Sequence, residues 1–258
     1  MLSKKEQKVF QLILFRKNMK AFTSKNDLKK FWGSVDREAL KECKEKSLKE
    51  KNLSIKKIAI VKRHINDFLF LDWVKFIGIT GSVAAGVPKE KDDIDVFIVV
   101  KNNRMWLYRA ILTLQLGRKS LRRVWDSPVK DKIDTNFICE ERGLLFNTES
   151  IFVLHELLFM IPVYKEEYYE KILNINYKLL ENYCIKRKKE YVNTSKNIPL
   201  IFLDKTAFFL QYMYMLFRNH RPNWKRLVRN NKKGRIAFFP EDFRRKKMEE
   251  FENLKKDF

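Results

Sequence analysis

Two aspartates separated by a single residue, Asp93 and Asp95, are the side chains in this sequence best suited to chemistry. They open an apolar run, residues 96–100, whose β-branched and aromatic residues predict a strand. Because side chains alternate between the faces of a strand, both carboxylates are expected on one face and Ile94 on the other. Adjacent carboxylates remain ionised most readily around a cation, and hard divalent ions such as Mg²⁺ prefer oxygen ligands.

A Gly-Ser pair, Gly81-Ser82, precedes Asp93 by a spacer of ten residues and follows a second predicted strand, residues 73–80. A turn of this kind offers backbone N–H groups and a hydroxyl, which suit phosphate oxygens. A metal site beside a phosphate-binding turn is the arrangement that enzymes use for phosphoryl or nucleotidyl transfer.

A strand ending in Gly-Ser, a short spacer and Asp-x-Asp on the next strand together resemble the signature of the DNA polymerase beta-like nucleotidyltransferase superfamily, and Gly86 extends the first part to GSxxxG. The resemblance implies an α/β fold, with a small mixed-sheet nucleotidyltransferase core covered by helices on one face and flanked by helical regions. It also implies in-line attack of an acceptor hydroxyl on a nucleoside triphosphate, ATP or CTP. Asp93 and Asp95 would bridge two Mg²⁺ ions, and Gly81 and Ser82 would contact the β- and γ-phosphates.

The same superfamily places a third carboxylate on the following strand, here predicted at residues 132–139. Asp134 is the candidate ligand, and it would serve the metal nearest the acceptor hydroxyl and act as, or stand beside, the general base. Its rivals are Asp131, Glu140 and Glu141, and an ordinary exposed strand residue remains an alternative.

Further segments resemble a group of archaeal and bacterial nucleotidyltransferase-domain proteins of unassigned substrate. The segments are residues 103–107, 210–213 and 237–240. Proteins of that group often carry an apolar residue or cysteine at the position of Asp134, so the resemblance alone leaves this ligand open.

The chain is predicted to have three regions. Residues 1–52 form a basic helical region, either a helix-turn-helix-like unit or a helical appendage that packs on the core, and residues 146–258 form a C-terminal helical region. The resemblance implies that residues 53–145, between them, form the nucleotidyltransferase core. Within the last region, the strongly apolar residues 200–217 predict a helix packed inside the helical layer. His155 and Glu156 lie on another apolar helix, where a histidine is more typical of a protein core than of a general base.

The chain has 258 residues and a formal net charge of +23, which favours a polyanionic partner, with nucleic acid ahead of a membrane surface. One stretch, residues 218–235, is rich in lysine and arginine and contains no acidic residue. Cationic side chains gain by releasing phosphate counterions, and tryptophan stacks on bases. The candidate nucleic-acid-binding residues are Arg218, Arg221, Trp224, Lys225, Arg226 and Arg229, although a solvated basic surface explains the pattern equally well.

The three cysteines have no metal-ligand spacing, no apolar run approaches the ~20 residues that span a bilayer, and the first residues lack the apolar core of a signal peptide. These features predict a cytoplasmic protein with reduced thiols and no membrane partner.

Three functions compete. The first is nucleotide addition to an RNA, such as a tRNA or another 3′ end. The second is modification of a protein or a small molecule, such as an antibiotic or a toxin partner. The third is a catalytically silent nucleic-acid-binding protein, which the lack of a third carboxylate near Asp93 and Asp95 would favour.

Overall fold

The structure, a computed structural model, describes residues 3–33, 43, 47–124, 128–146, 148–218, 222–237 and 241–256. A mixed five-stranded sheet in the order β4-β1-β2-β3-β5 forms its centre. The strands are β1 (Val74–Ile79), β2 (Ile94–Val100), β3 (Ile133–Glu140), β4 (Ile161–Tyr164) and β5 (Arg235–Ala237). β2 pairs with β1 in the antiparallel sense and with β3 in the parallel sense, while β4 and β5 join the two edges antiparallel.

The three central strands lie where the sequence predicts them, whereas β4 and β5 come from segments predicted to be helical. Both lie beyond residue 145, so the sheet recruits strands from the predicted C-terminal region. The division of the chain at residues 52 and 145 stays a prediction.

Both faces of the sheet are buried. On the first face Phe76, Phe97 and Val99 belong to an aromatic-rich core, and on the second face Ile94 and Ile98 belong to an aliphatic core. Strands buried on both faces read as continuous apolar runs, as residues 96–100 do. The expectation that helices cover only one face was therefore wrong.

Six of the described helices surround the first face. They are α1 (Lys4–Asn18), α2 (Lys25–Trp32), α6 (Ile151–Phe159), α7 (Glu166–Ile175), α8 (Tyr177–Glu181) and α11 (Glu241–Lys256). The N-terminal helices begin at capping boxes, in which Ser3 and Ser24 exchange hydrogen bonds with the residues three positions on. Their apolar sides enter the aromatic-rich core, so this region packs on the nucleotidyltransferase core.

In the part of the chain that the structure describes, five helices cover the second face. They are α3 (Leu48–Arg63), α4 (Gly81–Ala85), α5 (Met105–Arg118), α9 (Ile198–Phe217) and α10 (Trp224–Lys232). α9 lies against α5, and its Asp204 carboxylate accepts hydrogen bonds from the backbone N–H groups of Trp106 at 2.7 Å and Leu107 at 3.0 Å. These donors lie in the first turn of α5, where a helix has N–H groups without intrahelical partners.

α9 is more exposed to solvent than the sequence predicts. Asp204 and Ala207 are buried, but most of its apolar side chains face outward, including Phe217 at 88 % exposure. The helix is not packed inside a helical layer. Among the described helices, it is the one whose 20 residues and mean hydropathy of 1.2 would permit it to cross a bilayer, by length and composition alone. The expectation that no apolar run reaches that length was wrong.

Candidate active site

The parallel pairing of β2 and β3 brings the three predicted carboxylates together. Asp95 lies opposite Asp134 in the register, and Asp93 precedes it by two residues on the same side. One carboxylate oxygen from each of Asp93, Asp95 and Asp134 lies within 4.8 Å of the others. We call these three residues the carboxylate trio.

A local irregularity positions the trio relative to the core. The register shifts between Asp95 and Phe97 on β2, so that Phe97 lies opposite Phe137 and β3 carries one extra residue. The two phenyl rings stack with centroids 5.0 Å apart, on the face opposite Ile94. The carboxylates therefore lie at the edge of the aromatic-rich core, which lowers the local dielectric around them.

The Gly-Ser pair borders the trio. β1 ends where the Thr80 N–H donates to the Asp95 carbonyl at 3.0 Å, and α4 begins at Gly81 with Ser82 as its second residue. Gly81 has a φ of +64°, and a Cβ built on it would fall on the Asp95 carboxylate. Glycine is therefore required here by the backbone conformation and by the close approach of Asp95.

Arg123 neutralises part of the trio. Its Nη1 lies 2.7 Å from Oδ2 of Asp93 and 2.6 Å from Oδ2 of Asp134. Burial, followed by the charges of Asp93 and Asp134, raises the pKa of Asp95 to about 8. The site thus concentrates more negative charge than one guanidinium compensates.

These observations fit a divalent cation. The donor set consists of three carboxylates, which suits Mg²⁺, and a cationic group already lies between two of them. The residues that would hold the metal are Asp93, Asp95 and Asp134.

The rival third ligands have other partners. Asp131 accepts a hydrogen bond from Nζ of Lys57 at 2.9 Å. Glu140 lies at the far end of β3, where Nε of Arg142 donates to it at 2.5 Å. Glu141 follows β3 and accepts a hydrogen bond from the Tyr168 hydroxyl at 3.1 Å. The described residues therefore place only Asp134, of the four candidates, in the carboxylate trio.

Glu156, on α6, is the functional candidate that sequence reasoning missed. Its carboxylate accepts a hydrogen bond from the Gly81 N–H, and burial raises its pKa to about 7 despite that bond. Its neighbour His155 is a core residue, as predicted. The His155 Nδ1 lies 3.0 Å from Nη1 of the buried Arg16, and burial lowers the pKa of this histidine well below its usual value.

α10, which carries four of the basic residues of this stretch, lies on the other face of the sheet from the trio. α10 buries Leu227 in the aliphatic core, whereas the side chain of Asp95 points to the aromatic-rich side. Trp224 packs its ring against Phe208 and Tyr212 of α9, with centroids 5.8 and 4.5 Å apart, and remains half exposed.

The other candidate nucleic-acid-binding residues that the structure describes lie on α10 and at the end of α9, two helices of the second face. Arg218 ends α9, and Lys225, Arg226 and Arg229 lie on α10. Arg221 lies outside the described residues.

Comparison with known proteins agrees with this geometry. A family model described as a nucleotidyltransferase domain matches residues 61–201, more than half of the chain, including the Gly-Ser pair and all three carboxylates. No curated protein matches the chain, and no solved structure matches it. Nucleotidyltransferase domains generally use a nucleoside triphosphate and a divalent metal, and the carboxylate trio is consistent with both. The chain belongs to the nucleotidyltransferase-domain family and is a transferase of the DNA polymerase beta-like superfamily.

Proposed function

We propose that this enzyme transfers a nucleoside monophosphate from ATP or CTP to a hydroxyl of an RNA, in a Mg²⁺-dependent reaction that releases pyrophosphate. The observation that carries the proposal is the convergence of Asp93, Asp95 and Asp134 beside Gly81, which brings a metal-binding set next to a glycine-opened helix turn. A third carboxylate within reach of the other two also argues against a catalytically silent protein.

The chemistry assigns a role to each group. Mg²⁺ bound to the trio would neutralise triphosphate charge and lower the pKa of the acceptor hydroxyl. The Ser82 hydroxyl and the backbone N–H groups at the start of α4 orient the β- and γ-phosphates. Asp134 orients the acceptor hydroxyl and takes its proton, while the new bond to the α-phosphorus forms and the bond to the bridging oxygen breaks. Glu156 holds the Gly81 backbone in place.

The charge around the trio supports an RNA acceptor. Besides Arg123, five cationic side chains lie within a few residues of the carboxylates along the chain: Lys89, Lys91, Arg122, Lys130 and Lys132. They outnumber the four acidic residues that residues 89–95 and 122–134 contain besides the trio, Glu90, Asp92, Asp126 and Asp131, although Lys130 is paired with Glu90 at 2.7 Å. We call these five cations the basic rim. They would attract a phosphate backbone to the reactive hydroxyl, in keeping with the net charge of +23 on the whole chain. The basic rim, rather than α10, is the RNA-contacting surface that this proposal requires.

The test is transfer of label from each α-³²P nucleoside triphosphate into a cell extract with Mg²⁺. We expect label from ATP or CTP to enter material that RNase destroys and protease leaves intact. Binding of that RNA should weaken with salt at a log–log slope of about −0.7 per phosphate contact. Label in protease-sensitive material would contradict an RNA acceptor and indicate a protein acceptor. Label in a small molecule would likewise contradict an RNA acceptor and indicate that molecule.

Asp92, three residues before Asp95, provides the control. Asp95→Asn should remove transfer, whereas Asp92→Asn should retain it. The Asp92 carboxylate accepts a turn hydrogen bond from the Lys89 N–H at 2.9 Å and lies outside the trio, and the asparagine oxygen preserves that bond. Equal activity of the two variants would contradict the assignment of the site.

A further inference from the structure

The outer side of α9 is the largest unexplained feature of the described surface. Nine of its apolar side chains are at least 38 % exposed, and they extend from its first residue to its last: Ile198, Phe202, Leu203, Phe209, Leu210, Met213, Tyr214, Leu216 and Phe217. Together they expose on the order of 1,000 Å² of apolar surface, above the few hundred Å² typical of a soluble monomer. We call these nine residues the α9 face.

The α9 face carries almost no charge. Asp204 points inward to the first turn of α5, and Lys205 is the one exposed charged residue within the helix. An apolar face of this kind does not suit a phosphate backbone, which requires cations and polar donors. It requires an apolar environment, such as another protein surface or the interior edge of a bilayer.

Cationic side chains line two hollows near the α9 face. Before its first residue, a surface hollow is lined by amides, by Glu141 and by four cations: Lys75, Lys101, Arg104 and Lys196. α10 packs its Trp224 ring against Phe208 and Tyr212 in the middle of α9, and a second hollow on α10 is lined by four more cations: Lys225, Arg229, Lys232 and Lys233. An apolar helix flanked by lysine, arginine and tryptophan is typical of a helix at an anionic membrane surface.

We propose that the α9 face and the two hollows lined by cations bind the surface of an anionic lipid bilayer. The charge distribution selects this occupant over a second copy of the chain, because two copies would bring two sets of like charges together on molecules that each carry +23. α9 lies in the plane of the membrane. Crossing the membrane would remove Asp204 from the Trp106 and Leu107 N–H groups that hold the helix on α5.

The geometry leaves the enzyme active while bound. α9 covers the face of the sheet opposite the carboxylate trio, so a membrane on that side keeps the trio open to dissolved substrates. This surface does not depend on the nature of the acceptor, and its test requires no catalytic turnover.

The experiment is flotation of the full chain with vesicles of phosphatidylcholine alone or with phosphatidylglycerol added. We expect partition into anionic vesicles that falls with salt and is at least about tenfold weaker for neutral vesicles, since each lysine or arginine near the surface contributes about fivefold. Phe209→Glu combined with Met213→Glu should lower partition at least about tenfold, because burying one such side chain contributes on that order. Lys225→Glu combined with Arg229→Glu should weaken binding to anionic vesicles alone.

A matched control comes from α3, where Ile55 is 64 % exposed and lies outside the α9 face. Ile55→Glu should leave partition unchanged, and circular dichroism should show native folding of every variant. Failure of the wild type to float with anionic vesicles would overturn the proposal. Equal loss in Ile55→Glu would also overturn it. So would a dimer in light scattering that the Phe209 and Met213 changes dissociate, since the α9 face would then be occupied by a second copy.

Discussion

Replacing Asp95 by asparagine should abolish nucleotide transfer and, without metal, make the protein more stable. The side chain lies at the edge of the aromatic-rich core beside two further carboxylates, and Arg123 contacts only those two. In the metal-free enzyme an ionised Asp95 therefore raises the free energy of the folded state. Asparagine keeps the shape and an acceptor oxygen but removes the charge.

The magnitude follows from the pKa. Burial and the neighbouring carboxylates raise the pKa of Asp95 from 3.8 to about 8. At pH 7 the folded state holds a proton that the unfolded chain has lost, which costs about 4 kcal/mol at 1.36 kcal/mol per pKa unit. Imperfect solvation of the new amide reduces the gain, and neutral replacements of buried charges commonly stabilise by about 1–4 kcal/mol.

The sign of the pH dependence provides a sharper check. Because the folded state binds the proton more tightly, Asp95 makes the wild type less stable as the pH rises from about 4 to about 8. Urea denaturation in EDTA should show that the free energy of unfolding of Asp95→Asn exceeds that of the wild type by a margin that grows with pH. The margin should grow by up to about 1.4 kcal/mol per pH unit across this range. Mg²⁺ should remove that margin by stabilising only the wild type. A variant that is less stable than wild type in EDTA at pH 8 would refute the reasoning.

Three other substitutions, two of them with a control variant, test the neighbourhood of the site and the attachment of α9. Gly81→Ala should remove nucleotide transfer and lower the melting temperature, because its Cβ would overlap the Asp95 carboxylate. Gly33→Ala, where φ is also positive but the space is open, should show only a backbone cost of about 1–3 kcal/mol and retain transfer. Arg123→Ala should cost about 1–2 kcal/mol in EDTA, and calorimetry should show tighter Mg²⁺ binding, because a competing cation is gone; unchanged affinity would contradict this. Asp204→Ala should cost about 2–4 kcal/mol in urea denaturation, whereas Asp204→Asn, which keeps an acceptor for the first turn of α5, should cost clearly less; equal losses would contradict the capping role.

The sequence predicts the part of the site that local patterns determine. Alternation along β2 places Asp93 and Asp95 together, and the Gly-Ser turn lies one connection upstream. Asp134 depends on the parallel register between β2 and β3, which is a non-local property, and its rivals could be excluded only by their partners in the structure.

Arg123 and Glu156 reach the site from a loop and from a distant helix, so no spacing along the chain indicates them. The closest signals are the basic run that ends at Arg123 and the acidic residue next to His155 on an apolar helix.

The missed features of the fold have similar causes. β4 and β5 contain four and three residues, too few for a period of two to be distinguished from a helical pattern. α9 is apolar over most of its length, which is typical of a buried helix, yet nine of its apolar side chains stay exposed on the described surface. Periodicity indicates which side chains of a helix are apolar, but it does not indicate whether other segments of the chain pack against them.

The position of β5 affects how the protein can be shortened. β5 pairs with β3, the strand that carries Asp134, and Arg142 fastens the preceding turn by donating to the carbonyl groups of Lys232 and Asn231. A chain ended at residue 201, where the family match stops, would lack this cover. The outer backbone groups of β3 would then form an open edge able to pair with other chains. The last fifth of the protein therefore supplies the strand that covers the edge of β3, and this pairing prevents β3 from pairing with other chains.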